Sequence, residues 1–325
     1  MSIQVCICPP DLSEASLRLA VQMSASGIVT GVPSEGYDQG VWQYAGWLQT
    51  RKRIEDAGLK WLVSEGIPIP DRVKLGLPGR DEDIEKFSKS LRNMGRAGVP
   101  VLCYNWMAVF GWQRTSLSTR VRGGALASSY VHEDMQRGGL TEAGIITEER
   151  LWNSLEYFLK AIVPVAEEVN VQLAMHPDDP PLSPIRGVGR IMTSPANFQR
   201  LIDLVPSPIN GLTFCQGCFS EMGIDVIAEI KHFAAQRKLF FAHFRNVVGT
   251  ATSFTELFHD QTGVTDMIQA MRTYLEVGFD GPMRPDHMPT MEGDTSGHAG
   301  YTTMGRLFAV GYMRGLIDTL ERHMC

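Results

Sequence analysis

Short apolar runs alternate along the chain with longer segments in which apolar residues recur at helical spacing. Eight runs are rich in aliphatic and aromatic residues or Cys, and they span residues 5–10, 27–32, 60–70, 99–107, 171–177, 209–215, 239–246 and 280–287. Runs of this length predict buried strands, and the amphipathic segments between them predict helices. Strands that alternate with helices are typical of a parallel sheet with crossover helices.

Eight strand and helix units predict a (β/α)8 barrel, with residues 1–325 forming a single domain. The predicted helices include two with clear N-caps, one at Thr147 and one at Asp11 or Ser13. An open, doubly wound sheet is the alternative architecture. A dinucleotide-binding version of that sheet would carry a glycine fingerprint after its first strand, and the segment CPPDLSEAS contains none.

Residues 106–146 interrupt the alternation. This segment is polar and shows little hydrophobic periodicity. A stretch of that length inside a compact domain is usually an active-site lid or a binding loop. We therefore expect a lid-like loop at about 106–146 within the single domain.

Composition narrows the class of protein. The chain has 325 residues, 44% of them hydrophobic and 20% charged, so it can bury a large core. Its formal net charge is −6 with both signs interspersed, which disfavours a nucleic-acid partner. No apolar run reaches the roughly 18 residues that cross a membrane, and the N-terminus lacks the pattern of a signal peptide. Most of the six Cys lie in strand-like runs, as expected for reduced thiols in a cytoplasmic protein.

Polar side chains replace apolar ones where the predicted strands end. These residues are Glu65, Asn105, His176, Cys215, His243 and Asp286. The carboxyl ends of barrel strands build the active sites of this fold, so the six side chains are expected to meet. Those suited to binding one first-row divalent metal are His176, Cys215, His243 and Asp286. Cys218 completes a Cys-x-x-Cys pair, but no second pair exists to make a structural zinc site, so we interpret Cys218 as incidental.

Each of these residues also has an ordinary structural interpretation. A single strand-end His often only makes a hydrogen bond, a buried Cys packs as a small apolar side chain, and Asp286 can be a cap or an ion-pair partner. The metal hypothesis depends on four separate strand ends supplying ligand types together. Arg284 and Arg245 stand two residues from Asp286 and His243, hence on the same strand faces. They can hold a carboxylate, or they can form ion pairs with acids of the protein.

Longer motifs carry a family resemblance. They are KLGLPGRDEDIEKFSKSLRNMGRAGVPVLCYNWM, MHPDDPP, GVGRI, NGLTFCQG, HFRN and DGPMRPDH. In these motifs and their order, the chain resembles the mannonate dehydratases of the xylose-isomerase-like barrel group. The resemblance implies one Mn²⁺ or Fe²⁺ on the four predicted ligands and dehydration of D-mannonate to 2-dehydro-3-deoxy-D-gluconate. It implies catalytic roles for His287, Tyr301 and Arg284, and we take Asn105, Arg245 and Arg284 as candidate substrate contacts.

Two segments depart from the family pattern. Residues 288–292 stand where the family continues with Gly-Arg, and Met304-Gly305-Arg306 stands in place of Tyr-Asp-Arg. The metal ligands are retained while the substrate-binding residues differ, so two further hypotheses stay open. One is a sugar or sugar-acid isomerase or epimerase on the same scaffold, and the other is a catalytically silent sugar-acid-binding relative. The expected partner is a small sugar acid in each case, and a homo-oligomer is compatible with the sequence.

Overall fold

A closed barrel of eight parallel strands lies at the centre of the computed structural model, which describes residues 3–324. The strands are β1 (Gln4–Ile7), β2 (Gly27–Thr30), β3 (Tyr37–Asp38), β4 (Val41–Trp42), β5 (Lys60–Glu65), β6 (Val101–Tyr104), β7 (Ser116–Arg120), β8 (Leu126–Val131), β9 (Gln172–Met175), β10 (Asn210–Cys215), β11 (Leu239–Phe244), β12 (Val247–Thr250), β13 (Ser253–Glu256) and β14 (Pro282–Pro285). The barrel order is β1-β14-β11-β10-β9-β6-β5-β2.

The eight barrel strands are the eight runs predicted from the hydrophobic pattern, so the barrel is confirmed and the open sheet is excluded. β1 pairs in parallel with both β2 and β14, and the register of Gln4 with Pro282 closes the ring. All six residues of β10 are buried, as expected for a strand covered on both faces. Closure places the carboxyl ends of all eight strands around one opening.

Helices surround the barrel and cover its outer face. They are α1 (Glu14–Gln22), α2 (Tyr44–Asp56), α3 (Asp71–Lys74), α4 (Arg80–Arg96), α5 (His132–Gln136), α6 (Glu148–Glu168), α7 (Pro195–Leu204), α8 (Gln216–Glu221), α9 (Val226–Ala235), α10 (Met267–Glu276) and α11 (Thr303–Met324), with a 3₁₀ turn at Arg122–Gly124. The Thr147 cap is confirmed, because its side chain accepts a hydrogen bond from the Arg150 amide. Of the two candidates at α1, Ser13 is the cap.

Residues 106–146 contain more regular structure than their sequence pattern indicated. β7 and β8 lie in this segment and join β12 and β13 in an antiparallel sheet of order β12-β13-β8-β7. The residues of β7, SLSTR, are polar except for Leu117 and mostly exposed, so no apolar alternation marked the strand. The lid role of this segment and the single-domain description stay predictions. None of the described helices is both long and apolar enough to cross a bilayer.

Candidate metal centre and active site

A cavity of about 770 Å³ opens at the carboxyl ends of the barrel strands. Its apolar wall comes from loops that follow β1, β5 and β6, namely Pro9, Pro10, Ile67, Pro68, Ile69 and Trp112. Its polar side comes from the later strands and from the segment before α11, and includes His176, His243, Arg284, His287, His298 and Tyr301. One wall of the cavity is therefore apolar, and the other wall is formed by ionisable side chains.

The four predicted metal ligands converge at the polar side. They follow or end β9, β10, β11 and β14, which are consecutive in the barrel. Ligand atoms of Cys215, His243 and Asp286 all lie within 4.8 Å of one another, and Cys215 belongs to a second such group with His176 and Cys218. His176 Nε2 lies 3.1 Å from His243 Nδ1, which joins the two groups. All four are at most 5% exposed.

The second nitrogen of each imidazole has its own acceptor, and this fixes which nitrogen faces the cluster. His176 Nδ1 lies 2.7 Å from the carbonyl oxygen of Pro177, and His243 Nε2 lies 2.9 Å from Glu65 Oε1. Burial and Arg284 lower the pKa of His243, but Asp286 and Cys215 more than offset this and raise it to about 10, so His243 Nδ1 carries a proton that faces His176 Nε2 at 3.1 Å. A divalent cation bound at this position would take the place of that proton. A metal-bound His usually donates the N–H of its other ring nitrogen to a carbonyl oxygen or a carboxylate of this kind, which orients the ring.

The anionic donors are held in their charged forms. Burial raises the pKa of the Cys215 thiol, but hydrogen bonds with Cys218 and His176 bring it well below its usual value. Burial opposes ionisation of Asp286 too, yet His287 and Arg284 hold its pKa well below the ordinary range. A thiolate, a carboxylate and two imidazoles form a mixed S, O and N donor set with two negative charges. That set fits one divalent first-row metal.

Glu65 links the proposed ligands to Arg284. Besides accepting from His243, Glu65 Oε1 accepts from Arg284 Nε at 3.1 Å and Nη2 at 2.8 Å. Burial raises the pKa of Glu65, but Arg284 and His243 more than offset this and lower it to about 2. Arg284 Nη1 donates to Asp286 Oδ1 at 2.7 Å. Arg284 therefore lies at the cavity as predicted, with most of its donors engaged by Glu65 and Asp286.

His287 and Tyr301 are neighbours, with ring centroids 5.3 Å apart, and both approach Asp286. Tyr301 Oη donates to Asp286 Oδ1 at 2.5 Å, and His287 Nε2 lies 3.5 Å from Asp286 Oδ2. Burial lowers the pKa of His287, although Asp286 and Glu256 act against it, so its ring is neutral near pH 7. Burial and the Asp286 charge hold the pKa of Tyr301 well above 10, so its hydroxyl keeps its proton. The pair thus offers one proton acceptor and one proton donor.

The remaining predicted substrate contacts differ in position. Asn105 lines the cavity, and its Oδ1 accepts from the Met107 amide at 3.1 Å. Arg245 is fully buried and is not among the cavity-lining residues. Its guanidinium binds Glu221 and Glu256 at 2.7 Å and Asp179 at 3.2 Å. The geometry favours the ion-pair interpretation of Arg245 over a contact with substrate.

Several residues of the site were missed or misread in the sequence. Cys218 is not incidental, because it contacts Cys215 and accepts from Arg245 Nη1 at 3.2 Å. Its position follows from α8, which begins directly after β10 and turns Cys218 back toward the strand end. Lys74 and Arg306 line the cavity and were not predicted. Lys74 begins the KLGLPGRD motif and Arg306 ends the Met304-Gly305-Arg306 segment, but neither was assigned a role from the sequence.

The barrel and its strand-end donors define a (β/α)8 enzyme with a candidate metal centre. The family model for D-mannonate dehydratase matches residues 11–145 and 139–325. Mannonate dehydratase 2 of Halalkalibacterium halodurans is 36% identical over 90% of this chain and 92% of its own length. The mannonate dehydratase of Thermotoga maritima is 34% identical over 88% and 89%. The chain belongs to the mannonate dehydratase family, and it is a hydro-lyase of that family.

Solved structures agree with this assignment. The crystal structure of mannonate dehydratase from Streptococcus suis serotype 2 superposes with a TM-score of 0.90 at 33% identity, covering 99% of this chain and 95% of that one. An L-ribulose 3-epimerase superposes with a TM-score of 0.63 at 13% identity. At that identity the second likeness shows the barrel fold alone.

Proposed function

We propose that this protein dehydrates D-mannonate to 2-dehydro-3-deoxy-D-gluconate, using one divalent metal held by His176, Cys215, His243 and Asp286. Mn²⁺ and Fe²⁺ are the metals we propose for this mixed donor set. The observation that carries the proposal is the convergence of two imidazoles, a thiolate and a carboxylate from four strand ends, with His176 Nε2 and His243 Nδ1 3.1 Å apart. A neutral base and a protonated acid adjoin this cluster in a chain of the mannonate dehydratase family.

Two obstacles oppose the reaction. The C2 proton is weakly acidic because its removal adds charge next to the carboxylate, and hydroxide is a poor leaving group at C3. When bound, the metal supplies Lewis-acid stabilisation of the charge that develops on substrate oxygens. Arg284 adds a fixed positive charge at the same wall, although its own partners reduce the effect. The buried surroundings strengthen both effects by excluding water.

His287 and Tyr301 divide the proton transfers in this proposal. The neutral imidazole of His287 takes the C2 proton, and the electrons of the C2–H bond form the C2–C3 double bond. The C3–O bond breaks, and the proton of Tyr301 leaves with the departing hydroxide as water. The resulting enol takes up a proton at C3 from the protonated His287 and loses the proton of its C2 hydroxyl to Tyr301, which gives the 2-keto acid and restores both groups. Asp286 aligns both groups, since its Oδ1 accepts from Tyr301 and its Oδ2 faces His287.

The decisive experiment supplies D-mannonate to protein of measured Mn²⁺ content and detects a 2-keto-3-deoxy acid. We expect product from the wild type and a loss of about 10²–10⁴-fold in kcat for His287→Gln and for Tyr301→Phe, which remove one proton-transfer group each. The Ile69→Val variant changes a residue of the apolar wall that has no role in proton transfer and serves as the matched control. No product from mannonate or any of its epimers would refute the proposal.

The two other hypotheses give different results in the same assay. Solvent deuterium entering C2 without dehydration identifies an isomerase or epimerase. Binding of metal and of aldonates without any turnover identifies a silent sugar-acid-binding relative.

A further inference from the structure

Arg306 stands at the start of α11 and lines the active-site cavity. Its side chain is buried, with 4% of the residue exposed. Among residues 3–324, its guanidinium has no hydrogen-bond or ion-pair partner, and its Nε is a buried polar atom without an acceptor. A buried guanidinium without a counter-ion is costly, so a site that keeps one is arranged to receive an anion.

No carboxylate within residues 3–324 pairs with Arg306. Asp294 is the nearby carboxylate, but its Oδ1 accepts from Ser296 and its Oδ2 accepts from the Met304 amide at 2.6 Å. The neighbouring Cys8 thiol is neutral, because burial and Glu65 raise its pKa to about 11. The hydroxyl of Tyr301, the other close acidic group, donates to Asp286 Oδ1 at 2.5 Å and makes no hydrogen bond to Arg306. The positive charge of Arg306 is therefore left facing the cavity.

The other cations of the site differ from Arg306 in this respect. Arg284 is bound by Glu65 and Asp286, and Arg245 by three acids outside the cavity. Lys74 also lines the cavity, but its ammonium donates to the carbonyl oxygen of Met107 at 2.8 Å. Arg306 is thus the cavity cation whose hydrogen-bonding capacity remains unused among the described residues.

We propose that Arg306 binds the carboxylate of the substrate and selects acids over neutral polyols. This inference rests on the proposed function, because an aldonate is the acid in question. A guanidinium holds a carboxylate through two parallel hydrogen bonds, which fixes orientation as well as position. Arg306 lines the same cavity as Tyr301 and Arg284. Anchoring the carboxylate there places C2 and C3 beside the acid and base.

The test measures binding rather than turnover. D-Mannitol has the carbon chain of D-mannonate with a neutral hydroxymethyl group in place of the carboxylate. Calorimetry on Mn²⁺-loaded protein compares the two ligands for the wild type and for Arg306→Met, Arg306→Lys and Arg314→Met. Arg314 is the matched control, since it lies on the same helix but bonds Ser24 and Ser26 outside the cavity.

We expect the wild type to prefer mannonate, and Arg306→Met to weaken mannonate binding about a hundredfold without changing mannitol binding. Arg306→Lys should recover part of the preference, and Arg314→Met should keep all of it. A wild type that shows no preference for the acid overturns the inference, and so does an Arg306→Met variant that keeps the preference. Loss of the preference in Lys74→Met instead would assign the role to that lysine and overturn it as well.

The two proposals fail separately in this design. If no aldonate is dehydrated but the acid preference still depends on Arg306, the proposed function is wrong and the carboxylate site stands. If mannonate is dehydrated and Arg306→Met retains the preference, only the carboxylate site is wrong. Circular dichroism of each variant verifies folding, and Arg306→Lys supplies the readout if Arg306→Met does not fold.

Discussion

The guanidinium of Arg245 lies next to the candidate ligand Cys215, but its hydrogen-bond donors are occupied by three acids of the protein. Arg114 joins the same buried network through Asp179 at 2.7 Å and Glu256 at 3.0 Å. Burial raises the pKa of Glu221 well above its usual value, although Arg245 acts against this. Two guanidinium groups thus face three buried acids, and opposite charges are paired within this network.

Removal of Arg245 should break that pairing. In Arg245→Met, buried acids lose their partner, and we expect the free energy of unfolding to fall by about 3–5 kcal/mol. The control is Arg122→Met, which removes a partly exposed pair with Asp260 at 2.6 Å and should cost about 0–1 kcal/mol. Chemical denaturation measures both. Equal effects would show that the buried network contributes no more than a surface pair.

The sequence could predict residue types at this site but not their partners. The two-residue spacing of Arg245 from His243 predicted one strand face for both, but β11 ends at Phe244 and Arg245 lies just beyond the strand. It could not tell whether an acid from β13 or α8 would arrive to neutralise the arginine. Arg306 is the opposite case, because no acid among the described residues forms an ion pair with it. The ion-pair partners of a buried arginine come from other elements of the fold, so the sequence around the arginine does not reveal them.

At the scale of elements, α11 and the segment after β14 form the part of the site that departs from the family pattern. Gly305 lets the helix approach this segment closely. A Cβ at Gly305 would lie 3.0 Å from Met288 Cβ and 3.0 Å from the carbonyl oxygen of Pro289. The same helix carries Arg306, and the same segment follows His287. Their spacing therefore depends on the absence of one methyl group.

Gly305→Ala should consequently lower stability and catalysis together. We expect overpacking of about 1–3 kcal/mol and a reduced kcat, because the crowded methyl pushes His287 away from Tyr301. Gly311→Ala on the same helix is the control, since a Cβ there meets nothing within 4 Å. That variant should gain about 0.5–1 kcal/mol from the lower backbone entropy of Ala. Thermal unfolding and steady-state kinetics measure the pair, and a stabilised Gly305→Ala would contradict this account.

Elements with strong hydrophobic periodicity were predictable, and those without it were not. The barrel strands are apolar runs covered on both faces, which local sequence reveals. By contrast, β7 and β12 carry no such pattern and pair with the neighbouring strands β8 and β13 in two hairpins. The two hairpins form one sheet through the pairing of β13 with β8, which are distant in sequence. The helix α8 begins at Gln216, directly after β10 ends at Cys215. Because no turn residues separate the two elements, the sequence did not mark where the helix begins.

At the scale of the whole molecule, the proposed metal joins four consecutive barrel strands. Its ligands come from β9, β10, β11 and β14, and Glu65 of β5 supports them from across the barrel. The unfolded chain holds no such arrangement, so metal binds the native state in preference. A metal at a thousand times its dissociation constant would add about 4 kcal/mol to the free energy of unfolding.

Chelation should therefore lower the melting temperature, and added Mn²⁺ should restore it in a concentration-dependent way. His176→Ala and Asp286→Ala should each lose most bound metal and most of this thermal response. His298→Ala, which changes a cavity residue outside the donor cluster, should respond as the wild type does. Metal content and calorimetry are measured on the same samples. Full occupancy in both ligand variants would refute the proposed ligand set.

The division of the cavity between the two halves of the chain has a consequence for how its specificity can change. The apolar wall is encoded entirely before residue 113, whereas the proposed ligands and proton-transfer groups all follow residue 175. Glu65 is the link between them, as the acid that reaches across to His243 and Arg284. If Glu65 is kept, loops of the first half can be exchanged or redesigned to admit other sugar acids while the chemistry of the second half is inherited unchanged.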